Sequence, residues 1–214
     1  MSVAIVDVGM GNVGSVANML AKIGAHAVRT DDGPTIADAA HIVLPGVGSF
    51  DVAMQRLHER GLVDVLHRRV DAGVPLLGIC LGMHLLGDSS AEGTEPGLGW
   101  ISGRVARLDP EPGDRPRPVP HMGWNEINVA DGTEGADLFD ALDDDARFYF
   151  VHSFALQPDR GDHVLATTDY GGPFVSAVMN GNVRGVQFHP EKSHRHGMAV
   201  LRRFVERAPC RSLA

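Results

Sequence analysis

The sequence has little lysine and no excess of positive charge. Lysine occurs only as Lys22 and Lys192, and the 214 residues carry a formal net charge of −8. A basic field is what holds nucleic acid or an anionic membrane surface, so this charge argues against both kinds of partner. The sequence also lacks any apolar run near the about 20 residues that a membrane-spanning helix needs. We therefore expect no nucleic-acid partner and no membrane partner.

Cysteine is also scarce, with only Cys80 and Cys210 in the chain. Two cysteines do not make a disulfide framework, and no signal-peptide pattern precedes the first strand, so we expect a reducing, cytoplasmic setting. A hydrophobic fraction of 43% is ample for a core. The length suits a single domain over residues 1–214.

The first half of the chain alternates short apolar runs with amphipathic segments. The apolar runs are typical of strands buried on both faces of a parallel sheet, and the amphipathic segments have helical spacing. The predicted strands are 2–8, 27–29, 41–44 and 75–79, and the predicted helices are 15–23, 50–60, 62–72 and 81–86. This order predicts an α/β fold with a doubly wound, mostly parallel sheet, whose ligands lie beyond the carboxyl ends of the strands.

The second half has a different pattern. Residues 87–119 are rich in glycine, proline and charge, which predicts a surface connection with one strand at 104–108. Closely spaced strands follow at 147–154, 163–168, 175–179 and 183–188, with a hairpin turn at Asn180-Gly181. We therefore predict an antiparallel C-terminal extension of the sheet, followed by a helix over 196–207.

The stretch 75–86, Pro-Leu-Leu-Gly-Ile-Cys-Leu-Gly-Met-His-Leu-Leu, has the pattern of a nucleophile elbow. Cys80 stands where the strand becomes a helix, between Gly78 and Gly82, and a side chain on either glycine would crowd the turn. The N–H groups of the following helix favour the thiolate, which is the reactive form of cysteine. A plain buried cysteine at a strand–helix junction is the alternative.

A cysteine nucleophile needs a base and a group that orients the base. Among 11 histidines, His189 stands apart because it ends an apolar strand and is followed by Pro190 and Glu191. Residues two apart on an extended segment point the same way, so Glu191 can reach the imidazole and set its tautomer. Cys80, His189 and Glu191 therefore form a candidate catalytic triad.

Two glycine-rich turns follow other strands. Gly9-Met-Gly-Asn-Val-Gly14 fits the spacing G-x-G-x-x-G of a dinucleotide site, although only Asp31 and Asp32 offer the acidic residue that such a site needs. A nucleotide-binding α/β protein that uses this turn is therefore kept as an alternative. The other turn, Pro45-Gly-Val-Gly48, can present backbone N–H groups at the same sheet edge as Cys80.

Three segments together resemble the class I, triad-type glutamine amidotransferases: Pro45-Gly-Val-Gly48, Gly78-Ile-Cys-Leu-Gly82 and Gly185-Val-Gln-Phe-His-Pro-Glu191. Within that family, the chain is most similar to the glutaminase subunits of imidazole glycerol phosphate synthases. This likeness lies in Gly9-Met-Gly-Asn12, Pro120-His-Met-Gly-Trp-Asn125 and Lys192-Ser193. The resemblance implies a flavodoxin-like fold and a glutaminase of histidine biosynthesis that uses no metal and no cofactor.

The resemblance implies a role for each site residue. Cys80 would attack the side-chain amide of L-glutamine to give a glutamyl thioester, while His189 moves the proton and Glu191 orients His189. Backbone N–H groups of Leu81, and of Val47 or Gly48, would hold the oxyanion. The residues implied in glutamine binding are Gly46, Gly48, His84, His152, Ser153 and Phe154.

The resemblance also implies a partner. Ammonia would pass to a TIM-barrel cyclase subunit in a heterodimer, and that subunit would make imidazole glycerol phosphate and an aminoimidazole-carboxamide ribotide. The residues implied to face the partner are Asn12, Met122, Trp124 and Lys192. Without the resemblance, these four are interpreted as a turn former, two core side chains and a solvated lysine.

Two positions depart from the family pattern. His84 stands where the family usually has a glutamine in contact with substrate, and Gly14 stands where it has an arginine. An imidazole still donates a hydrogen bond, so His84 either keeps part of the contact or weakens glutamine binding. We therefore keep two further alternatives, a related glutaminase subunit of a sugar-amidinating enzyme and a catalytically silent partner-binding subunit.

Overall fold

The computed structural model describes residues 2–111, 117–130, 132–133, 135–143 and 145–207, so Cys210 lies outside the described residues. The helices are α1 (Val13–Lys22), α2 (Gly33–Ala37), α3 (Phe50–Glu59), α4 (Leu62–Asp71), α5 (Leu81–His84) and α6 (His194–Glu206). The strands are β1 (Ser2–Val6), β2 (His26–Thr30), β3 (His41–Gly46), β4 (Leu76–Cys80), β5 (Ser89–Ser90), β6 (Gly103–Arg107), β7 (His121–Glu126), β8 (Asn128–Val129), β9 (Arg147–His152), β10 (Phe154–Pro158), β11 (Val164–Asp169), β12 (Pro173–Asn180) and β13 (Val183–Val186).

An eight-stranded sheet in the order β2-β1-β3-β4-β13-β12-β11-β8 forms the centre of the molecule. Strands β2, β1, β3, β4 and β13 run parallel, and β12, β11 and β8 extend the sheet with antiparallel pairing. This confirms the predicted doubly wound sheet and its antiparallel extension. The hairpin between β12 and β13 is also confirmed, with Gly181 at φ +58°, and its turn lies one residue later than predicted because Asn180 still pairs with Val183.

The sheet is buried on both faces because alternate residues of its central strands pack into two separate cores. Val3 and Ile5 of β1 join the core that contains side chains of α1 and α6. Ala4 and Val6 of the same strand join the core that contains side chains of α2, α3 and α4. Alternation along a strand thus explains why the central strands are apolar at successive positions. No helix among the described residues has the length and hydropathy to cross a membrane.

Two small sheets lie beside the main one, and the sequence pattern did not predict them. Strand β9 pairs with β7 rather than with the main sheet, and β10 pairs with β6, which pairs in turn with β5. The predicted strand 147–154 is therefore two strands that separate at Ser153. The segment 87–119 was predicted to be a surface connection, but Leu98 and Ile101 are buried. That prediction was wrong there because these apolar residues complete the core under α5.

The carboxyl ends of β1, β3, β4 and β13 meet at one edge of the sheet. Strand β2, which follows β1 in the chain, lies on one side of β1 in the sheet, whereas β4, which follows β3, lies on the other side of β3. The direction in which successive strands are added therefore reverses between β1 and β3. Such a reversal opens a crevice in which α/β proteins bind ligands. Cys80 ends β4 at this edge, and His189 follows β13 at the same edge.

Candidate active site

Cys80 lies at a sharp turn between β4 and α5. Its backbone has φ 54° and ψ −110°, a conformation that non-glycine residues rarely adopt. A Cβ on Gly82 would overlap the carbonyl oxygen of Leu44, and a Cβ on Gly78 would overlap the carbonyl group of Gly82. The turn therefore requires glycine on both sides of Cys80, as the sequence pattern predicted. The side chain of Cys80 is held in a strained, buried position at the sheet edge.

The helix after Cys80 is shorter than predicted. It spans Leu81–His84 instead of 81–86, and Leu85 and Leu86 continue it only as a turn that hydrogen-bonds to Leu81 and Met83. A single helical turn has little macrodipole, because that dipole is a sum over aligned peptide units. The dipole of α5 therefore has little effect on the side chain of Cys80.

Gly82→Ala should destabilise the protein by at least about 2 kcal/mol, because the new methyl group meets the backbone of β3. The measurement is the urea midpoint of unfolding. Gly14→Ala is the matched control, because nothing lies within 4 Å of a Cβ at Gly14, the second residue of α1. There the change should stay within about 1 kcal/mol. Equal midpoints for the two variants would show that the elbow tolerates a side chain.

His189 and Glu191 form a buried pair. The Nδ1 atom of His189 lies 2.8 Å from Oε1 of Glu191, and both side chains are only 2% exposed. The backbone of His189 is fixed too, since its N–H donates to the carbonyl of Tyr149 and its carbonyl accepts from the hydroxyl of Ser193. Glu191 thus contacts the imidazole, as the alternation of an extended segment predicted, and a carboxylate at Nδ1 requires the proton on that nitrogen.

The charge state of His189 depends on its two acidic neighbours. Burial disfavours the imidazolium, but the Cys80 thiolate and the Glu191 carboxylate outweigh burial and raise the pKa of His189 to about 9. Its Nε2 atom is buried without a hydrogen-bond partner among the described residues. His189 is therefore protonated near neutral pH, next to the side chain of Cys80.

The residues predicted to hold an oxyanion lie beside Cys80. Gly46 pairs with Cys80 in the register of β3 and β4, so the N–H groups of Val47 and Gly48 follow just beyond the nucleophile. Gly48 has φ +104°, which favours glycine. Leu81 begins α5 directly after Cys80. Leu81, Val47 and Gly48 therefore lie at the same edge of the sheet as Cys80, and their role in holding an oxyanion stays a prediction.

His84 is buried, 6% exposed, and does not project into open solvent. Its Nε2 atom lies 2.8 Å from Oε1 of Gln187, and Nε2 of Gln187 lies 3.9 Å from the sulfur of Cys80. Burial lowers the pKa of His84 to about 4, so the imidazole is neutral at physiological pH. The residue that replaces the family's glutamine is thus linked to the nucleophile through Gln187.

The segment His152-Ser153-Phe154 joins β9 to β10 beside the triad. Nδ1 of His152 donates to the carbonyl of Phe154 at 2.9 Å, and the carbonyl of Ser153 accepts from the N–H of Leu108. His121 lies against this segment, with its Nδ1 3.1 Å from Nε2 of His152. Burial, with smaller contributions from His121 and the imidazoles of the site, lowers the pKa of His152 to about 3, and burial lowers that of His121 to about 4.

These neutral histidines make the protein sensitive to acid. Between about pH 6.5 and pH 4 the unfolded chain binds more protons than the folded chain at His84, His121 and His152. The free energy of unfolding therefore falls as the pH falls, by up to about 1.4 kcal/mol per pH unit for each histidine. His189 acts oppositely: its raised pKa stabilises the folded state at low pH, and this stabilisation is lost as pH rises from about 6.5 to about 9.

Urea unfolding at a series of pH values measures how the free energy of unfolding changes with pH on the acid side and on the alkaline side. His121→Phe keeps a ring between Tyr170 and Phe150 but cannot titrate, so it should reduce the acid slope by one histidine's share. An unchanged acid slope in this variant would mean that His121 does not stay neutral in the folded state.

The residues predicted to face a partner lie together on the surface near Glu191. Met122 is 62% exposed and Trp124 is 46% exposed, which is unusual for large apolar side chains. The Trp124 ring stacks on His194 with centroids 5.1 Å apart, and Nζ of Lys192 lies 5.3 Å from the centre of the Tyr149 ring. The interpretation of Met122 and Trp124 as core side chains is therefore wrong, because both emerge on the outer face of β7.

Asn12 belongs to the same region. It is exposed at the start of α1, which packs beside the turn Pro190–Lys192. The predicted partner residues thus border the turn that carries Glu191.

The turn Gly9–Gly14 does not offer a nucleotide site of the predicted kind. The side of Gly11 that a Cβ would occupy faces the backbone of Pro45 and Gly46, and the carbonyls of Val8 and Gly9 accept from Arg56. The acidic residues are also engaged. Asp32 accepts from the N–H of Thr35 at the start of α2, and Asp31 pairs with Arg60. These contacts remove the support for the nucleotide-binding alternative.

One group with metal-ligating chemistry occurs among the described residues, on the surface away from the triad. Asp143, Asp145 and His196 offer ligand atoms within 4.8 Å of one another. Arg195 forms ion pairs with both carboxylates, at 3.3 and 3.2 Å, and its Nε lies 3.0 Å from Nε2 of His196. The arginine thus supplies the positive charge that a cation would bring.

Sequence reasoning assigned no role to Gln187 or Ser193, although both stand in segments that carry the family resemblance. Gln187 stands two positions before His189, so the alternation that placed Glu191 beside His189 also applies to Gln187. Ser193 gave no such signal, because its hydroxyl contacts backbone groups. It donates to the carbonyl of His189 and accepts from the N–H of Tyr149. Both side chains are fully buried.

A buried cysteine at a strand-to-helix turn, with a histidine–glutamate pair after the adjacent parallel strand, defines a cysteine-dependent hydrolase of the triad type. The family model "Glutamine amidotransferase class-I" matches residues 4–208. The chain belongs to this family and is a glutamine amidotransferase.

Comparisons with individual proteins agree with the family. The chain is 46% identical over 207 residues to "Imidazole glycerol phosphate synthase subunit HisH 2" of Methanococcus maripaludis, an alignment that covers 96% of this chain and 100% of that protein. It is 46% identical over 205 residues to the corresponding HisH subunit of Bdellovibrio bacteriovorus, with coverage of 95% and 99%. A crystal structure of a glutamine amidotransferase shares the fold, with a TM-score of 0.69 and 22% identity over 95% of this chain and 97% of that one.

Proposed function

We propose that the chain is the glutaminase subunit of an imidazole glycerol phosphate synthase, which hydrolyses L-glutamine and delivers the ammonia to a cyclase subunit in histidine biosynthesis. The observation that carries the chemistry is the buried pair of His189 and Glu191 beside Cys80, which holds a cysteine ready for attack. The names of relatives that are 46% identical over nearly the whole chain support the pathway.

The geometry supports a two-step reaction. The thiolate of Cys80 attacks the carboxamide carbon of glutamine, and the N–H groups near Leu81 and Gly48 hold the oxyanion. His189 gives its proton to the departing nitrogen, so ammonia leaves and a glutamyl thioester remains. Water then attacks the thioester and gives a proton to His189, and glutamate leaves as the thiolate is restored. A free thiol is needed throughout, which fits a reducing, cytoplasmic compartment.

We propose a TIM-barrel cyclase as the partner, bound at the exposed surface around Met122, Trp124 and Lys192. Exposed aromatic and methionine side chains are typical of protein interfaces. Ammonia that leaves near Glu191 would then enter the partner without crossing bulk solvent. A related glutaminase subunit with a sugar-amidinating partner has the same chemistry and differs in the acceptor.

The test is glutamate release from L-glutamine by the chain alone, with the cyclase subunit, and with the cyclase subunit and its ribotide ligand. We expect a low rate from the chain alone and at least about tenfold stimulation in the full mixture. Equal rates in all three mixtures, with the complex demonstrated by gel filtration, would contradict the proposed partner. Stimulation by a sugar-amidinating barrel instead would assign the alternative acceptor.

A further inference from the structure

A line of buried polar side chains leads from α5 to the nucleophile. It begins at His84, passes through the amide of Gln187 and ends at the sulfur of Cys80, with separations of 2.8 Å and 3.9 Å. Gln187 is fully buried, and the triad mechanism gives it no role. A buried amide beside a reactive sulfur has an electrostatic effect on that sulfur whose sign depends on which end of the amide faces it.

The contact with His84 decides which end faces the sulfur. An amide oxygen only accepts hydrogen bonds, so Nε2 of His84 donates to Oε1 of Gln187. Burial holds His84 in its neutral form against its contacts with Gln187 and with the backbone of Phe154, so a single ring nitrogen carries a proton. The carbonyl of Phe154 already accepts from Nδ1 of His152, and the 2.8 Å contact with Gln187 assigns the proton of His84 to Nε2. With its oxygen engaged by His84, Gln187 directs its NH₂ group toward Cys80.

We propose that His84 is a positioning residue: it locks the amide of Gln187 with its NH₂ group toward Cys80 and thereby stabilises the thiolate. The N···S distance of 3.9 Å is long for a hydrogen bond, so the stabilisation is mainly that of a dipole near a negative charge. This deepens the proposed glutaminase function, since it explains how the thiolate is held although α5 is only one turn long. It also gives the departure at His84 a role that does not require contact with glutamine.

Loss of the His84 donor has two consequences. The oxygen of Gln187 would remain buried without a partner, which is costly. The amide would then turn, and its oxygen would face the sulfur, where two electron-rich atoms repel each other. The titratable side chains around this cluster are His189 and Glu191 after β13 and His152 at the end of β9. They are the same in every variant below, so a change in the behaviour of Cys80 reports on positions 84 and 187.

The experiment measures the rate of Cys80 alkylation by iodoacetamide as a function of pH. All variants carry Cys210→Ser, so that Cys80 is the only thiol in the chain. We expect His84→Phe to raise the midpoint of the pH profile by about one unit, which lowers the rate about tenfold below the midpoint. His84→Gln supplies an amide N–H in place of the imidazole N–H. Its midpoint should therefore lie close to that of the protein with His84.

A double-mutant cycle separates positioning from a general loss of packing. Gln187→Met removes the amide, so it should raise the midpoint by itself, and His84→Phe should then cause no further shift. Thermal melts identify variants that fold, and if His84→Phe does not fold, Gln187→Met alone still tests the amide. An unchanged midpoint in Gln187→Met, or shifts that add fully in the double variant, would overturn the proposal. Alkylation needs neither glutamine nor a partner, so this result is independent of the proposed pathway.

Discussion

Cys80→Ala should lower glutamate production from L-glutamine by at least about 10⁴-fold, because no other group among the described residues can form the thioester. The same variant should still bind the cyclase subunit and support synthesis from added ammonia. The substitution removes one buried sulfur and leaves the surface around Trp124 unchanged. The measurements are glutamate release, gel filtration of the complex, and product formation with ammonium chloride in place of glutamine.

Cys210→Ser is the matched control, since it removes the other thiol of the chain. It should leave glutamate release unchanged. If Cys80→Ala also abolished the ammonia-dependent reaction while the complex still formed, the proposed division of labour between the two subunits would be wrong. If glutamate release survived Cys80→Ala, a different nucleophile would be at work.

Glu191→Gln should lower kcat for glutamate release by about 10²- to 10⁴-fold with little loss of structure. The amide has nearly the shape of the carboxylate, but its NH₂ group can face Nδ1 of His189 and select the wrong tautomer. It also removes the negative charge 2.8 Å from the imidazole, so the pKa of His189 should fall below about 9.

The pH profile of kcat tests this electrostatic role. The alkaline limb, where His189 loses its proton, should move to lower pH in Glu191→Gln. Glu59→Gln is the matched control, because Glu59 is an exposed carboxylate at the end of α3. It should change neither the rate nor the profile. A full rate for Glu191→Gln would mean that His189 is oriented by its backbone contacts alone.

The sequence predicted the parts of the site that depend on local geometry. Gly78 and Gly82 indicated the turn at Cys80 because a Cβ at either position meets backbone atoms. Glu191 was placed beside His189 by the alternation of an extended segment. The same alternation was not applied to Gln187, and so the contact between α5 and Cys80 was missed.

Other features depend on long-range pairing, which the pattern of one segment does not specify. Residues 147–154 have the composition of a central strand, yet β9 pairs with β7 outside the main sheet. The exposure of Met122 and Trp124 follows from that pairing, which turns their side chains away from the core. The buried, neutral state of His121 and His152 likewise depends on the pairing of β7 with β9, and no local pattern distinguishes them from the other histidines.

The most direct test of the proposed ammonia delivery follows the nitrogen atom. The complex of this chain with the cyclase subunit would receive L-glutamine labelled with ¹⁵N in its side-chain amide, together with unlabelled ammonium and the ribotide. Mass spectrometry of the imidazole glycerol phosphate then reports the source of its nitrogen. Direct delivery predicts product enriched in ¹⁵N far above the free ammonium pool. Product whose enrichment equals that of the free pool would contradict delivery from Cys80 to the partner.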